Sequence, residues 1–254
     1  MSLFTPAPGA APYAQMVRAQ ATMEARLLVR NGEQLLLAVV VPVLVLVGAV
    51  LGADRLGLDL SSPAVDVFTP GVLALAVMSS AFTSLAIATG FERRYGVIKR
   101  LGASPLPRSG LLLGKVLALA IVMVAQMIVI GGVGLALGWS PAWGGVPAAL
   151  VGVLLGTFAF AGLGMLVAGV LRAEATLAAA NLVYLLLMAG GGVVLPTSTY
   201  GSAEGFVRLL PSGALGDALR TAFLDGAWAP GALLVLLAWG IVATALTART
   251  FRWE

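Results

Sequence analysis

Residues 146–171 read VPAALVGVLLGTFAFAGLGMLVAGVL and contain no charged side chain. An α-helix needs about 20 mostly apolar residues to cross the hydrocarbon core of a bilayer. This stretch exceeds that length, so it predicts a membrane-spanning helix. The segments on either side of this stretch are also rich in apolar residues.

The composition indicates that most of the chain lies in a membrane. Hydrophobic residues make up 60% of the 254 residues, charged residues 10%, and the mean hydropathy is +1.02. A soluble domain carries about 25% charged and 45–50% apolar residues. Because so many apolar side chains cannot all be buried in a soluble core, the surplus must face lipid. We therefore expect an all-α integral membrane protein.

The length criterion gives six membrane-spanning helices. They cover about residues 35–53, 68–90, 109–138, 146–171, 175–195 and 229–249. Pro42 should kink the first without removing it from the membrane, because neighbouring helices can satisfy the freed carbonyl. With six spans, both termini lie on the same side.

The distribution of basic residues gives the orientation. With a cytoplasmic N-terminus, three of the 15 Lys and Arg residues lie outside (Arg55, Arg208 and Arg220) and the others lie inside: Arg18, Arg26, Arg30, Arg93, Arg94, Lys99, Arg100, Arg108, Lys115, Arg172, Arg249 and Arg252. Cytoplasmic loops carry the excess of Lys and Arg in membrane proteins. This bias predicts that both termini are cytoplasmic, and it accounts for the net charge of +4 without nucleic-acid binding.

The residue inventory excludes several classes of function. The chain has no cysteine and no histidine, which excludes disulfides, thiolate or imidazole metal sites and nucleophile–histidine catalysis. No Asp or Glu lies in the middle of a predicted span, where an ion-coupled carrier normally places an ionisable group. We therefore expect no catalytic residues and no metal site.

Four segments outside the spans have their own character. Residues 1–12 are expected to be a flexible tail, and 13–34 an amphipathic helix at the inner surface, with the polar residues Arg18, Thr22, Arg26 and Arg30 at every fourth position. Residues 92–107 form a charged cytoplasmic elbow. Residues 196–228 form an outer segment with a short amphipathic or re-entrant helix, which we expect to place Asp217 and Arg220 on its wet side.

Few polar side chains lie inside the spans. Gln126, Asn181 and Tyr184 are candidates either for interhelical hydrogen bonds or for lining a pathway. Lys115, near the start of the third span, is expected to snorkel to the cytoplasmic interface. Gly190, Gly191 and Gly192 weaken the outer end of the fifth span, so they predict a break in that helix.

Several motifs in order resemble those of a known family, the membrane-spanning subunits (permeases) of type-2 ABC exporters, such as bacterial drug, antibiotic and lipid exporters. The resemblance covers nearly the whole chain from about residue 13. The motifs are Arg30-Asn31, Phe68-Thr69-Pro70-Gly71, the charged segment 91–101, Ala103-Ser104-Pro105-Leu106, Leu113-Gly114-Lys115 and the outer motif 210–220.

The resemblance implies a type-2 ABC exporter permease fold with a connecting helix at 13–34 and a coupling helix at 92–101. The coupling helix would contact a separate ABC ATPase subunit through Glu92, Arg93, Arg94, Tyr95, Gly96, Val97, Ile98, Lys99, Arg100 and Leu101. Tyr95 departs from the charged or polar residue of many relatives. The chain itself would bind no cofactor, because ATP and Mg would be held by the partner.

The resemblance also implies an assembly and a cargo. Two permease copies, expected to be identical, and two ATPase subunits would move a lipophilic or amphipathic substrate across the bacterial plasma membrane, as in drug efflux and antibiotic resistance. Gly190, Gly191, Gly192, Asp217 and Arg220 would form an outer gate. Two alternatives remain open: a passive channel or secondary carrier, and a non-transporting signalling or assembly module linked to an ATPase.

Overall fold

The computed structural model describes residues 11–30, 32–53, 55, 60, 62–97 and 107–250. Every regular element in those ranges is helical. Most of the predicted flexible tail, residues 1–10, lies outside the described residues. So do residues 98–101, the second half of the predicted coupling helix.

Ten α-helices are described: α1 (Tyr13–Arg30), α2 (Gly32–Ala53), α3 (Ala64–Met78), α4 (Leu85–Arg94), α5 (Arg108–Ala136), α6 (Val146–Val170), α7 (Ala173–Gly190), α8 (Glu204–Leu209), α9 (Pro211–Asp225) and α10 (Pro230–Thr250). A π-helical segment, Ser79–Ser84, joins α3 to α4 without a break. Two short 3₁₀ helices, Trp143–Gly145 and Thr197–Ala203, precede α6 and α8. Prolines open α9 and α10, where a missing N–H costs nothing.

Five helical segments are long and apolar enough to cross a membrane. They are Ala64–Arg94, Leu113–Ala136, Trp143–Val170, Ala173–Gly190 and Pro230–Thr250, and each coincides with a predicted span. The first predicted span, 35–53, lies in α2, which continues through Pro42. The apolar part of α2 found among the described residues is shorter, Val39–Ala53. The total of six spans therefore stays a prediction.

The second predicted span is the centre of the helix bundle. In its most apolar window 67% of the residues are buried, compared with 33% or less in the other four candidate spans. Its first half, α3, packs against α2, α5, α6 and α9, and its second half, α4, packs against α6 and α7. Phe68, Leu75 and Met78 are among the largest fully buried side chains. A movement of this helix would therefore be transmitted to most helices of the bundle.

Glycines allow the neighbours of α6 to approach it closely. The ring of Phe158 on α6 fills the space over Gly240 on α10, where a Cβ atom would lie 2.2 Å from the ring. On another side of α6, Gly156 meets the side chain of Leu215 and Gly152 meets Leu219, both on α9. Small residues serve this purpose in membrane helix pairs.

The helix predicted in the outer segment is α9, and it packs inside the helix bundle. It packs against α3, α6 and α10, and most of its residues from Pro211 to Ala222 are buried. The prediction that Arg220 lies on a wet side is wrong, because Arg220 is only 5% exposed. Asp217 is partly buried. The apolar spacing of Leu215 and Leu219 marked one buried face, but the bundle encloses the other faces as well.

Candidate functional site

The outer end of α7 unwinds at the predicted glycine break. The helix ends at Gly190, and Gly192 has a φ of +73°, a left-handed conformation that glycine adopts without strain. Beyond it, the carbonyl groups of residues 191–194 are no longer part of a helix. Val193 is fully buried, so those carbonyls need partners within the protein.

Arg220 supplies most of those partners. Its Nη2 donates to the carbonyl oxygens of Val193 at 2.6 Å and Val194 at 2.7 Å, and its Nη1 donates to that of Gly192 at 3.1 Å. Its Nε donates to the carbonyl of Val67 on α3 at 3.4 Å. The Oγ of Ser212 donates to the remaining carbonyl, that of Gly191, at 2.8 Å. The fork of five N–H donors on arginine suits this cluster of acceptors.

Asp217 balances the buried charge of Arg220. Its Oδ1 lies 3.5 Å from Nη1 of Arg220, one turn along α9. Its Oδ2 accepts a hydrogen bond of 2.7 Å from Thr197 and lies 3.8 Å from Arg208. Burial raises the pKa of the Asp217 carboxyl, an effect that Thr197 and the two arginines oppose. Burial lowers the pKa of Arg220 to about 10, so its guanidinium remains charged at neutral pH.

We call Arg220, Asp217 and residues 191–194 the outer clamp. Glycines allow its parts to meet: a Cβ at Gly71 of α3 would lie 2.6 Å from the carbonyl oxygen of Val193 and 2.8 Å from Nη2 of Arg220. A Cβ at Gly216 would lie 2.8 Å from the carbonyl oxygen of Gly192. The clamp joins α3, α7 and α9. It brings together four of the residues predicted for an outer gate, namely Gly191, Gly192, Asp217 and Arg220, whereas Gly190 is the last residue of α7.

Halfway along the central span, the π-helical segment carries a polar layer. The Oγ of Ser80 donates to Oε1 of Gln126 on α5 at 2.6 Å, and both side chains are buried. Ser79 is hydrogen-bonded to Tyr184 on α7. A π-turn widens the helix locally and is frequent at functional sites. Gln126 and Tyr184 therefore lie in one layer, whereas Asn181 is on an exposed face of α7.

At the inner end of the bundle, Lys115 joins three helices. Its ammonium group forms an ion pair with Glu92 at the end of α4 and lies 3.3 Å from Oε1 of Glu24 on α1. Glu24 also accepts a hydrogen bond from Gln20. The Lys115 side chain is only 19% exposed because these carboxylates surround its ammonium group; its place at the membrane interface stays a prediction. We call Glu24, Glu92 and Lys115 the inner ion cluster.

The two arginines after Glu92 also contact their own chain. Arg93 donates from Nη1 to the carbonyl oxygen of Ala168 near the end of α6, and Arg94 forms an ion pair with Glu174 at the start of α7. With Arg172 they border a cleft between α4 and α7. Because a helix C-terminus carries a partial negative charge, arginines in the last turn of α4 are favourably placed.

The elbow turns immediately after Arg94. Tyr95 caps α4, and Gly96 has a φ of +65°, a left-handed conformation that ends the helix. The ring of Tyr95 stacks on that of Phe91 with a centroid distance of 6.1 Å, yet Tyr95 is 62% exposed. Glu92, Arg93 and Arg94 thus complete the second span, whereas Tyr95 and Gly96 begin the elbow. Helical geometry resumes at Val97, and Ile98, Lys99, Arg100 and Leu101 lie outside the described residues.

A comparison with protein families identifies the chain. The model described as "ABC-2 family transporter protein" matches residues 36–249, most of the chain. The chain belongs to the ABC-2 transporter family. No curated protein matches it.

Membership gives the general role of the chain. An ABC-2 family member of this kind is a membrane permease, and the family implies association with an ABC ATPase subunit. The matched region contains the outer clamp, the polar layer, and Glu92 and Lys115 of the inner ion cluster. It begins after α1, which contributes Glu24.

Sequence reasoning missed several residues of this ABC-2 permease that connect its parts. Lys115, Glu24, Ser80 and Thr197 all bind partners on other elements. A lysine at the start of one span and a glutamate at the end of the preceding one, on the same side of the membrane, could have suggested the Lys115–Glu92 pair. Nothing local marks Ser80, because serine is compatible with any part of an Ala- and Gly-rich span.

Proposed function

We propose that this ABC-2 permease is one half of the membrane domain of an ATP-driven exporter in the bacterial plasma membrane. Two copies would form the pathway, and two separate ATPase subunits would bind ATP and Mg. The chain has six spans with both termini in the cytoplasm. The exported substrate is lipophilic or amphipathic: a drug, an antibiotic, a lipid or a glycolipid.

The inner ion cluster carries this proposal. Lys115 links the surface helix α1, the end of the central span and the start of α5 through Glu24 and Glu92. The exposed elbow begins three residues after Glu92, at Tyr95. A push on the elbow would therefore act on three helices at once. That is the mechanical property required of a segment that receives motion from an ATPase subunit.

The central position of the driven helix extends the argument. The elbow continues α4, the π-helical segment and α3, which contact α5, α6, α7 and α9. At its far end, Gly71 and Val67 touch the outer clamp. Motion of this one helix would reach the polar layer of Gln126 and Tyr184 and then the gate formed by Gly190, Gly191, Gly192, Asp217 and Arg220.

The chemical class of the cargo is inferred from the lack of charged side chains in the middle of the predicted spans. The side chains proposed to line the pathway, Gln126, Asn181 and Tyr184, are uncharged. A substrate with a large apolar part can cross such a region, whereas an unpaired ion would be costly there. A secondary carrier would need an ionisable group on the pathway, and the middle of the predicted spans has no Asp or Glu.

Replacement of Lys115 tests the proposal. The chain, co-purified with its ATPase subunit and reconstituted in vesicles, is expected to lose ATP-driven transport on Lys115→Met while it still binds the subunit through the elbow. The charge-swapped variant Lys115→Glu/Glu92→Lys should recover part of the transport, because the pair is restored. Arg249→Gln, which removes an exposed charge from the last turn of α10, is the control.

Full transport by Lys115→Met would contradict the role given to the cluster. Failure of Lys115→Met to fold would be revealed by a lowered thermal midpoint, and the charge-swapped variant would then decide between a folding role and a coupling role. A swapped chain that is as stable as the wild type but does not transport would also contradict the mechanism.

A further inference from the structure

A groove of about 750 Å³ lies between α1 and α5, on the surface that would face lipid. Helix α1 contributes Arg18, Ala25 and Arg26 to its lining, and α5 contributes Leu117, Ile121 and Val124. The two arginines are exposed, and the α5 side chains are apolar and exposed as well. The groove therefore combines two cations with an apolar floor.

No acidic side chain among the described residues balances the positive charge of the groove. Arg18 and Arg26 form no ion pair within the described residues. Glu24, the one acidic residue of α1, is directed to Lys115. Thr22, which lies between the arginines, donates its hydroxyl to the carbonyl oxygen of Arg18. The two arginines are eight residues apart, about 12 Å along the helix, so their long side chains can converge on one anionic group.

The apolar floor continues along α5 beyond the groove. Leu117, Ile121, Val124 and Ile128 follow i, i+4, i+7 and i+11 spacing, and all four are exposed. From Leu117 to Ile128 the helix rises about 16 Å. One leaflet of a bilayer has a hydrocarbon thickness of about 15 Å. The strip therefore matches the length of an acyl chain that reaches from the interface to the bilayer midplane.

We propose that this groove binds one anionic phospholipid. Its phosphate lies between Arg18 and Arg26, and an acyl chain follows the strip from Leu117 to Ile128. The assignment to the cytoplasmic leaflet rests on the topology given under the proposed function, whereas the chemistry of the site does not. Phosphate and two arginines are complementary in charge and in hydrogen-bonding geometry.

Binding at this groove would stabilise the contact of α1 with α5. The same two helices meet at Lys115 and Glu24, and Gly114 lies against the side chain of Gln20. A bound anionic lipid adds a second link between them. The lipid would therefore hold α1 in place as one arm of the inner ion cluster.

Lipid binding to the purified full-length chain tests the proposal without the ATPase subunit. Native mass spectrometry in detergent, with phosphatidylglycerol or phosphatidylcholine added, should show one preferred phosphatidylglycerol. Arg18→Gln/Arg26→Gln should weaken that binding about 30-fold, since each basic side chain near anionic lipid contributes about fivefold. Arg172→Gln/Arg249→Gln removes two charges from elsewhere on the predicted inner surface and should leave the binding unchanged.

A second variant blocks the groove but keeps both arginines. Ala120→Trp, at a lining position, should also abolish the preference, whereas Ala125→Trp, which is exposed on α5 outside the groove, should not. Glycerol phosphate should not compete, because it has the phosphate without the acyl chains.

Three outcomes would overturn the assignment. They are equal binding of the two lipids, equal effects of the two double arginine substitutions, and unaltered binding by Ala120→Trp. Competition by glycerol phosphate would show an anion site without a place for acyl chains, and would also contradict it. Because this measurement uses no ATP and no transport, its failure would leave the proposed function standing, and a failure of transport would not affect the lipid result.

Discussion

The Nη2 atom of Arg220 lies 2.6 Å from the carbonyl oxygen of Val193, 27 residues earlier in the chain. This contact joins the buried helix α9 to the unwound end of α7. It resolves a conflict that the glycine break creates, because carbonyls released from a helix cannot remain unpaired in a buried position. A break at Gly190 and a buried arginine on α9 therefore form one structural unit.

Removal of the guanidinium should destabilise the fold strongly. Arg220→Met removes the nearer of the two arginines beside the partly buried Asp217 and leaves the carbonyls of Gly192, Val193 and Val194 without this donor. Breaking a buried pair in this way costs about 3–5 kcal/mol. Thermal unfolding in detergent should show a clear loss for Arg220→Met. Arg208→Gln, which removes an arginine that is largely exposed, is the matched control, and an equal loss in both variants would argue against the clamp.

The close approach at Gly71 gives a second prediction. Gly71→Ala places a methyl group 2.6 Å from the carbonyl oxygen of Val193, a backbone atom that cannot turn aside. Overpacking of this kind costs about 1–3 kcal/mol. Gly48→Ala, in the interior of α2 with nothing within 4 Å of the new methyl group, should be neutral or slightly stabilising. The comparison is made by thermal midpoint, and identical midpoints would show that α3 does not contact the clamp this tightly.

The polar layer should be measurable as a coupling between two spans. A double-mutant cycle with Ser80→Ala and Gln126→Leu isolates the hydrogen bond that joins the central span to α5. Interhelical polar contacts in membranes contribute about 0.6 kcal/mol on average and up to about 1.7 kcal/mol. We expect a value within that range from equilibrium unfolding. A coupling energy indistinguishable from zero would mean that the two side chains do not interact.

Topology can be tested by labelling single cysteines, because the chain has none of its own. Ser140→Cys and Ser198→Cys, both at exposed positions of outer connections, should react with a membrane-impermeant maleimide in intact cells. Ala19→Cys and Thr250→Cys should react only after permeabilisation. The labelling of Ala19→Cys shows whether α2 crosses the membrane. Its labelling in intact cells, with Thr250 protected, would reduce the number of spans to five.

Local features of this fold follow from the sequence because their causes are local. The spans could be placed from the length of their apolar runs, and the sharp turn between α6 and α7 from Arg172 and Glu174. The end of α7 followed from Gly190–Gly192, since glycine weakens a helix wherever it stands. These predictions needed only residues close to one another in the chain.

Tertiary contacts could not be predicted in the same way. Arg220 was assigned to a wet face because helical periodicity assumes that one side of a surface helix is solvated. A helix enclosed by the bundle has no such side, and the carbonyl groups of Gly192, Val193 and Val194 that bind Arg220 lie at least 26 residues away in the chain. The ion pairs of Lys115 could not be predicted either, because its partners Glu24 and Glu92 belong to other helices. The π-helical segment at Ser79–Ser84 has no distinct pattern in the sequence.

The central claim is that an ATPase partner drives this permease through the elbow that begins at Tyr95. The most direct measurement is the flux of a lipophilic fluorescent substrate in vesicles containing the chain alone, the chain with its ATPase subunit, or both with ATP. We predict flux only in the third case, and its loss on Tyr95→Asp but not on Phe206→Asp, an equally exposed aromatic position on α8. Substrate flux through the chain alone, independent of ATP and of the ATPase subunit, would contradict the account.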